Sequence, residues 1–315
     1  MPLRKSLAPL AGLVLVAAIL VVVPTSPVLA QDDQDEAIAY HAWFAANQAQ
    51  DNAKAVEAAE AYLEKFPTGQ YAEFLTKWLA PAKLSKLNEA IKAGQVDQML
   101  EVGQGILAND PENLNVIYAL AFQLRRRELL ASPRSYAHAA EAVDLSNKAI
   151  SLVEGGATLA GVQNFDKNAT LAWLYQNLAM VEGQGGASDK AMELYEKSTS
   201  LAPGDPDVAG RNLLQLLSWR QAAYAEAAQA YNAFPDEARS AAEPAEDVAA
   251  ARAAVDATAD ELIDVAARFV ALAEAKGLPQ GTRATVYGVL ETVYKSRNPD
   301  DAEAAGLAAL IDSKR

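Results

Sequence analysis

The feature that most constrains the fold of this chain is a recurring pattern of small residues that ends in proline. Ala191, Tyr195 and Ser198 stand four and then three residues apart, and Pro203 follows five residues later. Residues with this spacing lie on one face of an α-helix, and proline cannot continue a helix because it lacks a backbone N–H group. The segment therefore predicts a short helix whose small-residue face packs closely against a neighbouring helix.

The same spacing recurs along the chain, which indicates a repeated unit. Small residues predominate in the further sets, which are Ala55, Ala59 and Tyr62 before Pro67, Met99, Gly103 and Ile106 before Pro111, Ala142, Ser146 and Ala149 before Glu154, and Ala223, Ala227 and Ala230 before Pro235. A repeated helical unit buries its apolar face by stacking on its neighbours, and segments of alternating hydrophobicity are almost absent. The sequence predicts an all-α solenoid of about five helix pairs over residues 31–237.

The best-defined unit, residues 170–207, resembles a tetratricopeptide repeat. It combines a first helix with Trp173, Leu178 and Ala179, a glycine-rich turn, and a second helix that ends before Pro203. The resemblance covers roughly residues 37–237 and implies helix-turn-helix pairs that stack into a superhelix. Three of the four steps between unit ends exceed the family period of about 34 residues. An inserted loop at 155–165 and longer helices elsewhere are therefore expected.

Residues 1–30 are typical of a signal peptide. Arg4 and Lys5 precede the apolar run 10–23, and small residues suited to cleavage reach Ala30. The run is shorter than the roughly 20 residues that span a bilayer, so cleavage after Ala30 is the interpretation and an uncleaved anchor the alternative. The chain has no cysteine, and export without disulfides favours a bacterial periplasm. We expect a periplasmic or secreted protein with no stable membrane insertion after cleavage.

The first unit also points to the cell envelope. Its residues Phe66, Pro67, Tyr71 and Ala72 are similar to a variant of the tetratricopeptide repeat found in bacterial envelope lipoproteins that assist outer-membrane assembly. The resemblance therefore extends to the bacterial cell-envelope type of the family.

The charge of the chain disfavours nucleic acid as a partner. The formal net charge is −14, and nucleic-acid binding depends on clustered lysine and arginine. One basic cluster, Arg125, Arg126 and Arg127, occupies consecutive positions that point in different directions around a helix. We interpret it as a solvated face, with a contact to an acidic partner as the alternative.

The resemblance predicts where a partner would bind. In the family, the first helix of each pair lines a concave groove, and the matching residues in the best unit are Trp173, Gln176, Asn177 and Met180. The alternative for Trp173 is packing between repeats. One version of this groove binds a C-terminal carboxylate through basic residues on adjacent first helices. Here only Asn177 matches that version, and the next first helix carries acidic and uncharged residues where basic ones are needed. We therefore do not expect a site for a C-terminal carboxylate.

No sequence motif indicates catalysis, a metal or a cofactor. The two histidines, His41 and His138, belong to different units and form no pair at metal-ligand spacing. His41 is interpreted as a packed or half-exposed helix residue. The turn 183–186 lacks the lysine and the preceding strand of a phosphate-binding loop. We therefore expect a protein without enzymatic activity and without a cofactor.

Residues 238–315 are predicted to form a helical cap. Val248, Val255, Leu262 and Phe269 are seven residues apart, with a second apolar set three positions after each. This heptad pattern indicates a long helix ending near Gly277, followed by two shorter helices. The helix either closes the end of the solenoid or forms a homodimer through residues 245–276.

Two functions follow as hypotheses. The first is a non-catalytic protein-protein interaction scaffold of the bacterial periplasm or cell envelope, which binds a peptide or partner helix in the solenoid groove. The alternative is a periplasmic small-ligand-binding protein of the same repeat family that is associated with a transporter. A closed cavity lined by aromatic residues would favour the second hypothesis, and an open groove the first.

Overall fold

The computed structural model describes residues 31–301 and 303–315, which form helices joined by turns and loops. Within these residues there are thirteen α-helices and no β-strand, which confirms the all-α prediction. The proposed signal peptide, residues 1–30, lies outside the described residues. The helices are α1 Gln31–Gln48, α2 Asn52–Lys65, α3 Ala72–Ala93, α4 Val96–Leu107, α5 Leu114–Leu124, α6 Ala139–Glu154, α7 Lys167–Gln184, α8 Ser188–Leu201, α9 Ala209–Asn232, α10 Asp236–Arg239, α11 Glu246–Lys276, α12 Gln280–Arg297 and α13 Ala305–Asp312.

The chain forms two compact units whose boundary lies inside α3. The first unit ends at Ala82 and the second extends from Lys83 to Arg315. Pro81 precedes this boundary within the helix, where it removes one backbone hydrogen bond. The boundary expected at residue 237 between solenoid and cap lies inside the second unit.

The first unit buries the first small-residue face. Ala55, Ala59 and Tyr62 of α2 are fully buried, and α2 packs on α1. Trp43 of α1 and Leu75 of α3 complete the same core. Pro67 follows the end of α2, as the pattern predicted.

In the second unit, successive helices from α4 to α9 pack on one another. The small-residue faces of α6 and α8 are buried, as predicted. On α4, Met99 and Gly103 are buried and Ile106 is partly buried. Gly103 shows why these positions are small: a Cβ atom added to it would lie 2.6 Å from the Leu120 side chain. A larger residue at this position would therefore force the buried Leu120 side chain to move.

The fifth helix pair of the prediction is wrong. Residues Ala209–Asn232 form the single 24-residue helix α9, without a turn that would divide it into two. Ala223 and Ala227 are only partly buried and Ala230 is exposed. The physical reason is that α9 pairs along its length with the 31-residue α11 and not with a second helix of its own. Alanine at these positions permits helix contact but does not require it.

The predicted insertion and glycine-rich turn are confirmed. Residues 155–165 join α6 to α7 without helical structure, and Asn115 of α5 fixes this loop by accepting the Ala160 N–H at 2.9 Å. The turn between α7 and α8 contains Gly186 with φ +85°, a left-handed conformation that glycine adopts without strain.

The expected long helix with two shorter helices after it is also present. In its second half, the heptad residues Leu262, Val265, Phe269 and Leu272 are buried, and α9, α12 and α13 all pack on this helix. In its first half, most residues of the heptad pattern, including Val255, are partly exposed. Half of the proposed dimer seam is therefore covered within the chain.

Candidate functional site

The structure buries all four residues that were predicted to line an accessible groove. Trp173 is 8% exposed, Gln176 1%, Asn177 0% and Met180 5%. The expectation that the polar side of α7 forms an open surface is thus wrong. The reason is that α6, α8 and the segment after α5 all pack on α7, so that the helix is buried from Thr170 to Met180 without interruption.

The first buried polar group, Gln176, joins α7 to α9. Its Nε2 donates to the Val208 carbonyl oxygen at 3.1 Å and to Oδ1 of Asn212. Asn212 in turn donates to Oγ of Ser198 at 2.8 Å and to Oγ1 of Thr199 at 3.2 Å. Oε1 of Gln176 is buried and has no hydrogen-bond partner in the part of the chain that the structure describes. This network connects three helices and is structural, because buried polar groups are stable only when they are hydrogen-bonded.

The second buried polar group, Asn177, joins α7 to an arginine. Nη1 of Arg125 donates to Oδ1 of Asn177 at 3.1 Å, and Nδ2 of Asn177 faces Oγ of Ser146 at 3.4 Å. Arg125 is only 6% exposed. It begins a π-helical segment, Arg125–Leu129, which continues α5. Single turns of π-helix occur frequently at functional sites.

The interpretation of the arginine cluster as a solvated face is wrong for two of its three members. Arg125 is buried, and Arg127 donates to the Ile91 carbonyl oxygen and to the Gln123 side chain. Only Arg126 is exposed. The three side chains do point in different directions, but neighbouring helices cover two of those directions.

The ring of Trp173 lies beside the Arg125 guanidinium. The central carbon of the guanidinium lies 6.0 Å from the centre of the Trp173 ring, within the range of a cation–π interaction. Trp173 meets Tyr118 and Phe122 of α5 edge-on, at centroid distances of 5.1 and 6.0 Å. Trp173 therefore packs between neighbouring helix pairs, as its alternative interpretation stated, while Phe122 remains 38% exposed.

Arg125 carries a buried charge without an ion-pair partner. Among the described residues, no carboxylate oxygen lies within 4.0 Å of its guanidinium nitrogens. Burial, aided by the positive charge of Arg211, lowers the pKa of Arg125 to about 10, whereas Asp205 and Asp207 act in the opposite direction. The group is still charged at neutral pH, and a buried charge is costly unless it is paired. A carboxylate or another anion brought to this point would satisfy it.

A second titratable cluster follows on the same π-helical segment. His138, which precedes α6, lies between Glu128 of the segment and Asp97 of α4, at 2.6 Å and 2.9 Å. The hydrogen bond with Glu128 is the main cause that raises the pKa of His138, and Asp97 adds to it. The other histidine, His41, is an exposed residue of α1.

Arg125, the central side chain of the site, was not predicted from the sequence. The family resemblance points to a basic residue near Asn177 on the following first helix, whereas the structure supplies one from the segment after α5. A signal for this was present. Ile117 and Ala121 precede Arg125 by eight and four residues and are fully buried, so Arg125 continues the apolar face of α5.

An open groove of about 500 Å³ lies between α4, α5 and α6. Its floor is formed by Leu100, Leu120 and Leu145, and its rim by polar residues that include Glu141 and Asp144. No aromatic residue lines it. Within the described part of the chain, no cluster of histidine and acidic residues is arranged to hold a metal ion, and no helix is long and apolar enough to cross a membrane.

Comparison with protein-family models and with curated proteins yields no match for this chain.

Proposed function

We propose that this chain is a non-catalytic interaction scaffold of the bacterial periplasm or cell envelope, of the tetratricopeptide-repeat type. The observation that carries the proposal is the buried guanidinium of Arg125, which has no ion-pair partner within the described residues. A binding surface explains this arrangement, because an acidic group of a partner would supply the missing charge. The alternative interpretation of the arginine cluster, a contact to an acidic partner, thus becomes the leading one.

The surroundings of Arg125 define the kind of partner. The half-exposed ring of Phe122 and the 57% exposed side chain of Arg211 offer an apolar contact and a second cation. We propose an acidic peptide or partner helix with an apolar side chain beside its carboxylate. Asn177 and Trp173 contact the Arg125 guanidinium, so their role is to position it.

The localisation part of the proposal rests on the sequence. The apolar run before Ala30 and the absence of cysteine favour export to a bacterial periplasm. The resemblance to the envelope type of the repeat family agrees with this placement.

The alternative function, a small-ligand-binding protein associated with a transporter, has less support. The groove of about 500 Å³ between α4, α5 and α6 has the size of a small-molecule site. However, it is open and lacks aromatic residues, whereas this function predicts a closed cavity lined by aromatic residues.

The test is affinity capture from the envelope extract with three forms of the chain. Arg125→Gln removes the buried charge, and we expect binding of the captured partner to weaken roughly 10- to 100-fold, because hydrogen bonds to charged groups contribute about 1.5–3 kcal/mol. Arg126→Gln is the matched control, since it removes an adjacent but exposed arginine, and it should bind like the wild type. Equal binding by Arg125→Gln, with helix content preserved in circular dichroism, would contradict the proposal.

A further inference from the structure

His138 is held between two carboxylates that come from two other elements of the fold. Its Nδ1 lies 2.6 Å from Oε1 of Glu128, and its Nε2 lies 2.9 Å from Oδ1 of Asp97. An ionised carboxylate only accepts hydrogen bonds, and a neutral imidazole has a single N–H donor. Both contacts are therefore hydrogen bonds only when the ring is the doubly protonated imidazolium.

The two carboxylates differ in their exposure to water. The Glu128 side chain is 8% exposed, whereas that of Asp97 is 94% exposed. These two are the charged groups that face the ring from α4 and from the π-helical segment. Within the described residues, no basic group other than His138 lies within 4.0 Å of the Glu128 carboxylate. Loss of the ring proton would therefore leave a buried carboxylate beside an uncharged ring, which is unfavourable.

Glu128 also fixes the backbone that follows the π-helical segment. Its Oε2 accepts the backbone N–H of His138 at 3.2 Å, and its carbonyl oxygen accepts the Ser135 N–H at 3.1 Å. The segment is five residues long, with Arg125 at its start and Glu128 near its end. The π-helix is a rare conformation that occurs mostly as single turns, as it does here. The contact between His138 and Glu128 joins this turn to the start of α6.

We propose that the proton on His138 controls the anion-binding site at Arg125. In the protonated state, the imidazolium at the start of α6 is hydrogen-bonded to both α4 and the π-helical segment. These contacts hold Arg125 in the position seen in the structure. Loss of the proton breaks one of the two carboxylate contacts, loosens the segment and weakens the binding of an acidic ligand. This inference rests on the proposed function, because it assumes that Arg125 binds an anion.

The coupling must also operate in the opposite direction. If the protonated state binds an anion more tightly, then a bound anion must make His138 hold its proton more tightly, by the same factor. The chain contains two histidines, so the imidazole signals of His138 can be resolved in the His41→Gln variant. This reciprocity gives the test two independent readouts.

The experiment is a nuclear magnetic resonance titration of the chain with acetate, the smallest carboxylate. The side-chain resonances of Arg125 and Asn177 report binding, at about pH 5 and about pH 8. We expect acetate to bind about fivefold more tightly at the lower pH, the lower end of typical coupling between sites. The difference should persist in His41→Gln and disappear in His138→Gln.

The outcomes separate this inference from the proposed function. If acetate binds with the same affinity at both pH values, as measured by the Arg125 resonances, the control by His138 is refuted and the anion site is not. The same holds if the pH dependence of acetate binding persists in His138→Gln. Acetate that shifts Arg125 at neither pH would overturn the anion site and this inference with it. If His138→Gln does not fold, the wild-type imidazole titration decides: an acetate-independent pKa of His138 would refute the coupling.

Discussion

Replacement of Asn177 by alanine distinguishes a buried structural amide from a groove surface. The structure places Asn177 at 0% exposure with its Oδ1 on the Arg125 guanidinium at 3.1 Å. The substitution removes this acceptor and leaves the Arg125 guanidinium without a hydrogen-bond partner among the described residues. A surface location, which the sequence alone suggested, would instead predict almost no change in stability.

The magnitude follows from the contacts of the amide. A hydrogen bond to a charged group contributes about 1.5–3 kcal/mol, and the contact to Ser146 at 3.4 Å is long and adds little. We therefore expect the free energy of unfolding to fall by about 2–3 kcal/mol. For a domain of this size, each kcal/mol lowers the melting temperature by about 2–4 °C, so the expected decrease is about 4–12 °C.

The assay is thermal and urea unfolding followed by circular dichroism, with Asn147→Ala as the matched control. Asn147 is an exposed asparagine of α6, and its replacement should change stability by less than about 0.5 kcal/mol. A change as small as this in Asn177→Ala would refute the reasoning, because Asn177 would then not support the buried Arg125. It would indicate instead that Asn177 lies on the surface of the groove.

Three further predictions concern packing, pH and export. Ala191→Leu should lower stability by roughly 1–3 kcal/mol in urea unfolding, since Ala191 is fully buried, whereas the exposed Ala225→Leu should have little effect. The raised pKa of His138 means that its contribution to stability is fully present below about pH 6.5 and is lost as the pH rises through the folded-state pKa. The unfolding free energy of His138→Gln should lack this pH dependence, and that of His41→Gln should retain it. N-terminal sequencing of the chain exported by a bacterial host should begin directly after Ala30, and an N-terminus that retains the apolar run would indicate an anchor.

The ends of the helices could be predicted from the sequence because they depend on local chemistry. Pro67, Pro111 and Pro203 follow the ends of α2, α4 and α8 closely, since proline cannot continue a helix. The small-residue faces of α2, α6 and α8 are buried as predicted, because a repeated spacing of four and three residues selects one face of a helix. Gly277 likewise ends α11 in a left-handed conformation.

The candidate site could be predicted only in part, because burial depends on how many neighbours pack on a helix. Trp173 and Asn177 do lie next to a cation, the Arg125 guanidinium, but both are buried and neither forms part of an open surface. The polar residues of α7 resemble those of an exposed face, and the sequence contains no local sign that α6, α8 and the π-helical segment cover them.

The sequence by itself determined that the chain is all-α, where most helices end and which faces carry small residues, since these properties depend on residues within one or two helical turns. Only the tertiary structure decided that α9 is a single helix paired with α11, that α7 is buried on both its polar and apolar sides, and that Arg125 has no ion-pair partner within the described residues. These properties depend on contacts between residues far apart in the chain, such as Arg125 with Asn177 and Glu128 with Asp97 through His138. Local spacing contains no information about such contacts.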